Sequence, residues 1–338
     1  MVPAPPILIE VTRGDMVESR HIGSAVAVDA NGGVVAAWGD PEQVVYARSA
    51  IKPLQALPLV ESGAADRYGV SPAELCNACG SHGGEPAHVQ LVQAWLARIG
   101  LSPDELECGS HLPSYTPAAH ALLRAGEAPG NAHNNCSGKH TGMLTHTVHL
   151  GEPTRGYILA HHPAQLRVRA ALEGMTGLNL SMAPRGIDGC GLPQYGMPLR
   201  ALAHGMARMA DPAHLPAERK AAVERIRSAI AAEPFYIAGT GRFCTELIQA
   251  AGGRTLIKTG AEGVYIAILP EQGLGVAVKI HDGTPRALPV ALGAILRRLG
   301  ALDDAAWAAL SHHVTPVLRN HAGTEVGAVR VGAGWLDA

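Results

Sequence analysis

Gly23-Ser-Ala-Val-Ala-Val-Asp-Ala-Asn-Gly-Gly-Val-Val-Ala-Ala-Trp38 reads as two Val-rich apolar runs folded back at Asp29-Ala-Asn-Gly-Gly33. Asn-Gly-Gly between such runs is a strong hairpin signal, because a tight turn needs residues that accept positive φ. Working outward, Ile7-Leu-Ile-Glu-Val-Thr-Arg13 supplies another strand ahead of the hairpin. The far end of the chain mirrors this. Arg254-Thr-Leu-Ile-Lys258, Val264-Tyr-Ile-Ala-Ile-Leu269 and Leu274-Gly-Val-Ala-Val-Lys-Ile280 are short apolar strands separated by Gly-rich turns, and a helical segment, 285–302, follows.

The middle of the chain has a different texture. Ala-, Leu- and Arg-rich stretches at 85–99, 117–125, 163–175, 199–209 and 216–232 carry helical spacing and are joined by Gly/Pro/Asn/His loops. Strands at both ends and helices between them predict an α+β fold, with an antiparallel sheet from the N- and C-terminal segments and an inserted, mostly helical lobe. The expected partition is 1–48 plus 250–338 for the sheet lobe and 49–249 for the helical lobe, with the active site in the cleft between them.

Of 27 basic residues among 338, 22 are Arg and five are Lys: Lys52, Lys139, Lys220, Lys258 and Lys279. Arginine stays protonated whereas a desolvated lysine can lose its proton, so positions that keep Lys invite individual scrutiny. A net charge of -2 with no basic block argues against nucleic acid or an anionic membrane as partner. The opening residues lack a basic-then-apolar leader and no run approaches about 18 apolar residues, so a cytoplasmic protein is expected. Six cysteines are too few for a disulfide scaffold in a chain of this length, and thiols or metal ligands are expected.

The first chemical candidate is Arg48-Ser-Ala-Ile-Lys52, where the opening sheet gives way to a first helix. Ser49 and Lys52 stand at i and i+3 and share a helical face. Lys52 acts as a base only if its pKa falls from about 10.4 toward about 7–8, as burial beside another cation achieves. Alone, an S-x-x-K reads more readily as an N-cap and a solvated charge, and Pro58 must kink or end the helix. Lys258-Thr-Gly260 on a C-terminal strand changes the odds, because S-x-x-K followed by K-T-G resembles the signature order of serine β-lactamases and penicillin-binding proteins. Cys79-Gly-Ser-His-Gly-Gly-Glu85 reads as a strand-to-helix loop in which Ser81 sits among glycines whose N–H groups can approach an oxyanion; a capped glycine-rich connection reads equally well. His82 has no Asp partner in the sequence, so no Ser-His-Asp triad is invoked. Asn134-Asn-Cys-Ser-Gly-Lys-His140 and Asp188-Gly-Cys-Gly191 read as tight loops, each holding a cysteine. Spacing alone favours Cys76-x-x-Cys79 as a metal motif, weakly, and gives Cys136 and Cys190 no support.

Together these stretches resemble the rhizobial-type L-asparaginases, the asparaginase II family, from Val11-Thr-Arg-Gly14 through Gly241-Arg-Phe-Cys-Thr245 and Lys258-Thr-Gly-Ala-Glu-Gly263. The resemblance implies a serine β-lactamase-like fold, hydrolysis of L-asparagine to L-aspartate and ammonia, and a homodimer. It implies two Ser-Lys tandems, Ser49 with Lys52 and Ser81 with Lys258, acting through an acyl-enzyme. It further implies one zinc per chain on Cys136, Lys139 and Cys190, aiding substrate binding more than chemistry. The expected substrate-binding set is Arg48, His82, Asn134, Asp188 and Glu262, with Arg48 on the α-carboxylate and Asp188 on the α-ammonium by charge. The alternatives are a glutaminase or penicillin-recognising hydrolase on the same fold, or a non-catalytic zinc protein in which Ser49 and Ser81 are only caps. Lys220 and Lys279 are left as ordinary surface residues.

Overall fold

The computed structural model describes residues 5–336, so the first four residues of the stretch read for a leader lie outside it. The chain divides into two compact units: Met1–Ala50 with Met197–Asp211 and Glu246–Ala338, and Ile51–Gly196 with Pro212–Thr245. The stretch 197–211, expected in the helical lobe, therefore groups with the sheet.

The first unit is an eight-stranded antiparallel sheet in the order Val317–Arg319, Glu325–Val331, Ile7–Arg13, Met16–Asp29, Leu274–Ile280, Val264–Leu269 and Leu256–Gly260, with Val34–Trp38 added on Met16–Asp29. Met16–Asp29 is the pivot. Up to Ile22 it pairs with Ile7–Arg13; from Gly23 it pairs with Leu274–Ile280 along one edge and Val34–Trp38 along the other. The hairpin expected from Asn-Gly-Gly is present, and the Asp29 carboxylate accepts from the N–H groups of Asn31 and Gly33 at 2.9 and 2.8 Å. The strand starts earlier than expected because its first residues, Met16 to Arg20, are largely exposed and carry little apolar signal. Every residue of Val264–Leu269 is buried, as a strand covered on both faces requires. Each such Val, Ile or Leu contributes about 1.5–3 kcal/mol of burial. The helices Leu199–Ala210 and Leu288–Arg298 pack on these strands. That contact explains why 197–211 belongs to this unit: the helix has a strongly apolar face and the sheet is what covers it.

The second unit is helical. Pro72–Ala78, Pro86–Arg98, Thr116–Ala125, Pro163–Thr176 and Ala217–Ala232 are its longer outer helices, and Ser137–His149 is its centre. That central helix is buried from Ser137 through Thr147 and touches Leu57–Glu61, Pro72–Ala78, Pro86–Arg98 and Pro163–Thr176. Its polarity is tolerated because the buried threonines bond back to the helix: Thr141, Thr145 and Thr147 donate to the carbonyls four residues earlier at 2.9, 2.7 and 2.8 Å. The 134–140 stretch is thus a loop only up to Cys136, and the 79–85 stretch joins two helices instead of a strand and a helix. Among the described residues no helix is long and apolar enough to cross a membrane.

Candidate active site

Lys52 opens the one-turn helix Lys52–Gln55. Proline is tolerated in a first turn, so Pro53 starts this helix and Pro58 starts its successor, Leu57–Glu61, breaking what would be one longer helix. The Lys52 side chain is fully buried. Its Nζ donates to the Gly80 carbonyl, to Ser81 Oγ at 2.9 Å and to Cys136 Sγ at 3.2 Å. Lys52 therefore binds Ser81, the serine that sequence reading assigned to Lys258. Burial pulls the Lys52 pKa down; Cys136 opposes this and the charge of Lys139 reinforces it. As an ammonium, Lys52 donates to all three neighbours. As a neutral amine it has two hydrogens and a lone pair, and since a carbonyl only accepts, either the Ser81 hydroxyl or the Cys136 thiol must then donate to nitrogen. The first of these arrangements is a serine activated by an amine.

The loop carrying Ser81 is pinned from several sides. The N–H of Ser81 donates to Ile237 O at 2.8 Å and that of His82 to Asn135 O at 3.2 Å. His82 Nδ1 accepts from the Gly84 N–H at 3.2 Å, which puts the ring proton on Nε2, 2.9 Å from Ser137 Oγ; Ser137 in turn donates to Ala132 O. Burial, then the nearby His88 and Lys52, hold the His82 pKa well below the ordinary histidine value. With both nitrogens hydrogen-bonded to protein, His82 holds the loop in place. Asn134 is held likewise: Nδ2 donates to the Cys108 and Gly109 carbonyls at 3.0 and 3.1 Å and Oδ1 accepts from the Cys136 N–H at 2.8 Å. Glu85, which sequence reasoning passed over although it closes the quoted motif, accepts from both N–H and Oγ1 of Thr240 at 2.8 Å. Beside this loop lies a cavity of about 210 Å³ lined by Gly83, Glu85, Ser114, Tyr115, Thr240 and Arg242.

Cys136, Lys139 and Cys190 converge. Cys136 closes the loop and Lys139 lies one turn into the central helix, whose close approach to its neighbour demands Gly138, where a Cβ would stand 1.7 Å from Asn77 Oδ1. Lys139 Nζ lies 3.0 Å from Cys190 Sγ, and Cys136 hydrogen-bonds Cys190. That bond, with Lys139 nearby and against the cost of burial, pulls the Cys190 thiol down to about 5, while the same bond and burial push Cys136 up to about 11. Burial alone would depress Lys139, but Cys136, Cys190 and Asp188 outweigh it and hold its ammonium above the ordinary lysine value. Asp188 Oδ2 is 3.9 Å from Cys190 Sγ and accepts from Gln194 Nε2 at 3.3 Å, so the carboxylate expected on the substrate ammonium stands in this cluster. Two sulfurs and an amine suit zinc in ligand type. Tetrahedral zinc separates S from N ligands by roughly 3.5 Å, so the 3.0 Å Lys139–Cys190 contact need widen by only about half an ångström once the amine proton is displaced. Cys76 and Cys79 are both buried, and burial raises the Cys76 thiol well above its usual value.

The sheet unit holds Arg48, Ser49, Lys258 and Glu262. Ser49 lies in the short 3-10 turn Arg48–Ile51, and Lys258 is buried on the strand Leu256–Gly260, its Nζ donating to Thr259 O at 2.6 Å. Gly260 explains why these two motifs belong together: a Cβ there would stand 2.7 Å from Ala47 O and 3.1 Å from Ala50 N, so the end of the K-T-G strand lies directly on the turn that carries Ser49. Among the described residues only Arg48 and Glu262 are non-glycine with positive φ, 50° and 59°. Such backbone strain concentrates at functional positions, and both residues were singled out from sequence. Lys279 is not the ordinary surface residue expected. It is half-buried, and its Nζ donates to the carbonyls of Glu262, at 2.7 Å, and Ile280, at 2.5 Å.

Among solved structures, the chain is similar to a β-lactamase from Mycobacterium bovis (16% identity, 82% of this chain and 94% of that one, TM-score 0.41). It is similar too to a putative β-lactamase from Bacteroides dorei (16%, 82% and 93%, TM-score 0.43) and to the D-alanine carboxypeptidase AmpC of Burkholderia cenocepacia (12%, 83% and 93%, TM-score 0.42). Likeness this low carries no weight for what the chain does. No curated protein matches it. The model of L-asparaginase II matches residues 9–331, and with that span the chain belongs to the L-asparaginase II family of hydrolases.

Proposed function

We propose that the protein hydrolyses L-asparagine to L-aspartate and ammonia through a Ser-Lys acyl-enzyme. Family membership supports the reaction class, and one observation carries the mechanism: the buried amine of Lys52 in direct hydrogen bond with Ser81 Oγ. In the first half, a serine hydroxyl adds to the carboxamide carbon as its proton passes to the neutral amine of Lys52. The tetrahedral adduct collapses as that proton moves to the departing nitrogen, releasing ammonia and leaving an ester. Water then adds to the ester carbon, gives its proton to the amine, and aspartate leaves as the proton returns to serine. Within residues 80–84 the N–H groups of Gly80, Ser81, His82 and Gly84 are given to protein acceptors, so the Gly83 N–H is the candidate for the oxyanion. Arg48 and Glu262 are proposed to engage the substrate's charged groups. When bound, zinc on Cys136, Lys139 and Cys190 supplies positive charge that favours the substrate carboxylate. The homodimer implied by the family completes the proposal and is checked by sedimentation.

Ser49, three residues before Lys52 in the chain, is the proposed nucleophile, with Ser81 relaying protons and Lys258 as the second amine. The Lys52–Ser81 bond favours a second reading in which Ser81 itself attacks. Mass spectrometry of protein quenched during turnover locates the ester on one serine and decides between them. Ammonia release from asparagine and glutamine, with and without chelator, tests the function. A chelator is expected to raise KM while leaving turnover at saturation nearly intact. A folded protein that releases no ammonia from asparagine under any of these conditions overturns the reading.

A further inference from the structure

Apart from the residues discussed so far, the sheet unit gathers two histidines and a carboxylate at one point. Glu246 lies on the helix Phe243–Ala250, and His312 and His313 lie in the short helix Ser311–Val314. His312 Nε2 and His313 Nε2 both bond the same oxygen, Glu246 Oε2, at 2.8 and 3.0 Å. The two imidazoles stand 4.2 Å apart, tilted by 39°, and the three ligand atoms all fall within 4.8 Å of one another. Adjacent histidines with their Nε2 atoms turned to one oxygen are an arrangement that a pair of surface ion pairs does not need, because each exposed pair is worth little.

We propose that Glu246, His312 and His313 form a surface site for a first-row divalent cation of borderline softness, such as zinc, nickel or cobalt. Two imidazoles and a carboxylate are the donor chemistry such ions take, and calcium or magnesium would ask for more oxygens. Metal–nitrogen and metal–oxygen bonds of about 2.0–2.2 Å set tetrahedral ligands roughly 3.3 Å apart. The observed 2.8 and 3.0 Å separations therefore need to open by only a few tenths of an ångström as the ion replaces the shared protons. Access is direct: the side chains of His312, Glu246 and His313 are 59%, 30% and 18% exposed. Three protein ligands leave at least one position for water. The ion would tie the helix holding Glu246 to the segment leading into the strand Val317–Arg319, across 66 residues of sequence, so its binding is coupled to the folding of that part of the chain.

Cobalt(II) is the probe that separates this site from the cysteine cluster, because cobalt on thiolate gives an intense charge-transfer band and cobalt on imidazole and carboxylate does not. Metal-stripped protein is titrated with cobalt, reading total bound metal by equilibrium dialysis and thiolate-bound metal by absorbance. The expected result is one more cobalt per chain than the thiolate band accounts for. In His312→Ala this additional cobalt should bind at least tenfold more weakly while the thiolate band is unchanged, and Glu246→Gln should weaken it as well. Both are substitutions at partly exposed positions, and circular dichroism verifies that the variants fold. A wild-type protein with no cobalt beyond that reported by the thiolate band overturns the proposal. So does additional cobalt whose affinity is the same in His312→Ala and Glu246→Gln.

Discussion

The two units place a serine and a lysine in very different surroundings. In the sheet unit, Ser49 lies on a turn against which Gly260, the end of the strand that carries the buried Lys258, packs closely. In the helical unit, Lys52 and Ser81 are joined directly by a hydrogen bond, amid a buried polar group that includes His82, Asn134, Ser137, Lys139 and His140. In the second setting burial and side-chain partners act on the same nitrogen, as chemistry that needs a neutral amine requires.

The largest effect expected from this contrast is on Lys52. Lys52→Arg replaces an amine that can shed its proton with a guanidinium that cannot, and ammonia release from asparagine should fall by about 10²–10⁴-fold with circular dichroism unchanged. Near-normal turnover would erase the distinction between the two settings. Next comes acid stability. Burial, with Arg167 and His162 adding to it, lowers His146 in the central helix to about 3, whereas the unfolded chain titrates near 6.5. Between these values the unfolded state binds a proton that the folded state refuses. Stability should therefore drop as pH falls below about 6.5, by about 1.4 kcal/mol per pH unit for this one group. Denaturant melts at pH 7 and pH 5 measure the slope, and His146→Leu should flatten it; an identical slope in the variant removes His146 as the cause. Gly138→Ala should cost about 1–3 kcal/mol through overpacking against Asn77, a loss read from the denaturation midpoint. The smallest effect separates two lysines. Lys220 is exposed and Lys220→Arg should stay within about 0.5 kcal/mol of wild type, whereas Lys279→Arg, which disturbs the amine bonded to the Glu262 carbonyl, should cost measurably more. Equal melting midpoints for the two would return Lys279 to the ordinary surface.

The same contrast explains what the sequence made legible. Strands such as Val264–Leu269 and Leu274–Ile280 announce themselves because the sheet buries aliphatic runs bounded by glycine. The central helix does not: Ser137-Gly-Lys-His-Thr-Gly-Met-Leu-Thr-His-Thr147 has no apolar stripe, since its burial is sustained by hydroxyl back-bonding and a cluster of thiols and amines. Periodicity therefore finds the strands and leaves that helix as a loop. Motif order and the family resemblance pointed to Lys52, Ser81, Cys136, Lys139 and Cys190, but could not show that Lys52 bonds Ser81 or that the His82 and Asn134 side chains hold their loops. Those facts depend on which atoms face which, and spacing along a chain does not encode them. Glu325–Val331 went unread as well, being a half-exposed strand with weak alternation.

The pairing of Ile7–Arg13 with Glu325–Val331 has a consequence for how the molecule is made. The strand Ile7–Arg13 waits for a partner that leaves the ribosome more than 300 residues later, whereas every residue of the helical unit has emerged by Thr245. Closing so long a loop is entropically expensive and slow. During synthesis the strand edges that Glu325–Val331 and Leu274–Ile280 later cover therefore stay open, and an open edge is the kind that invites association with other chains.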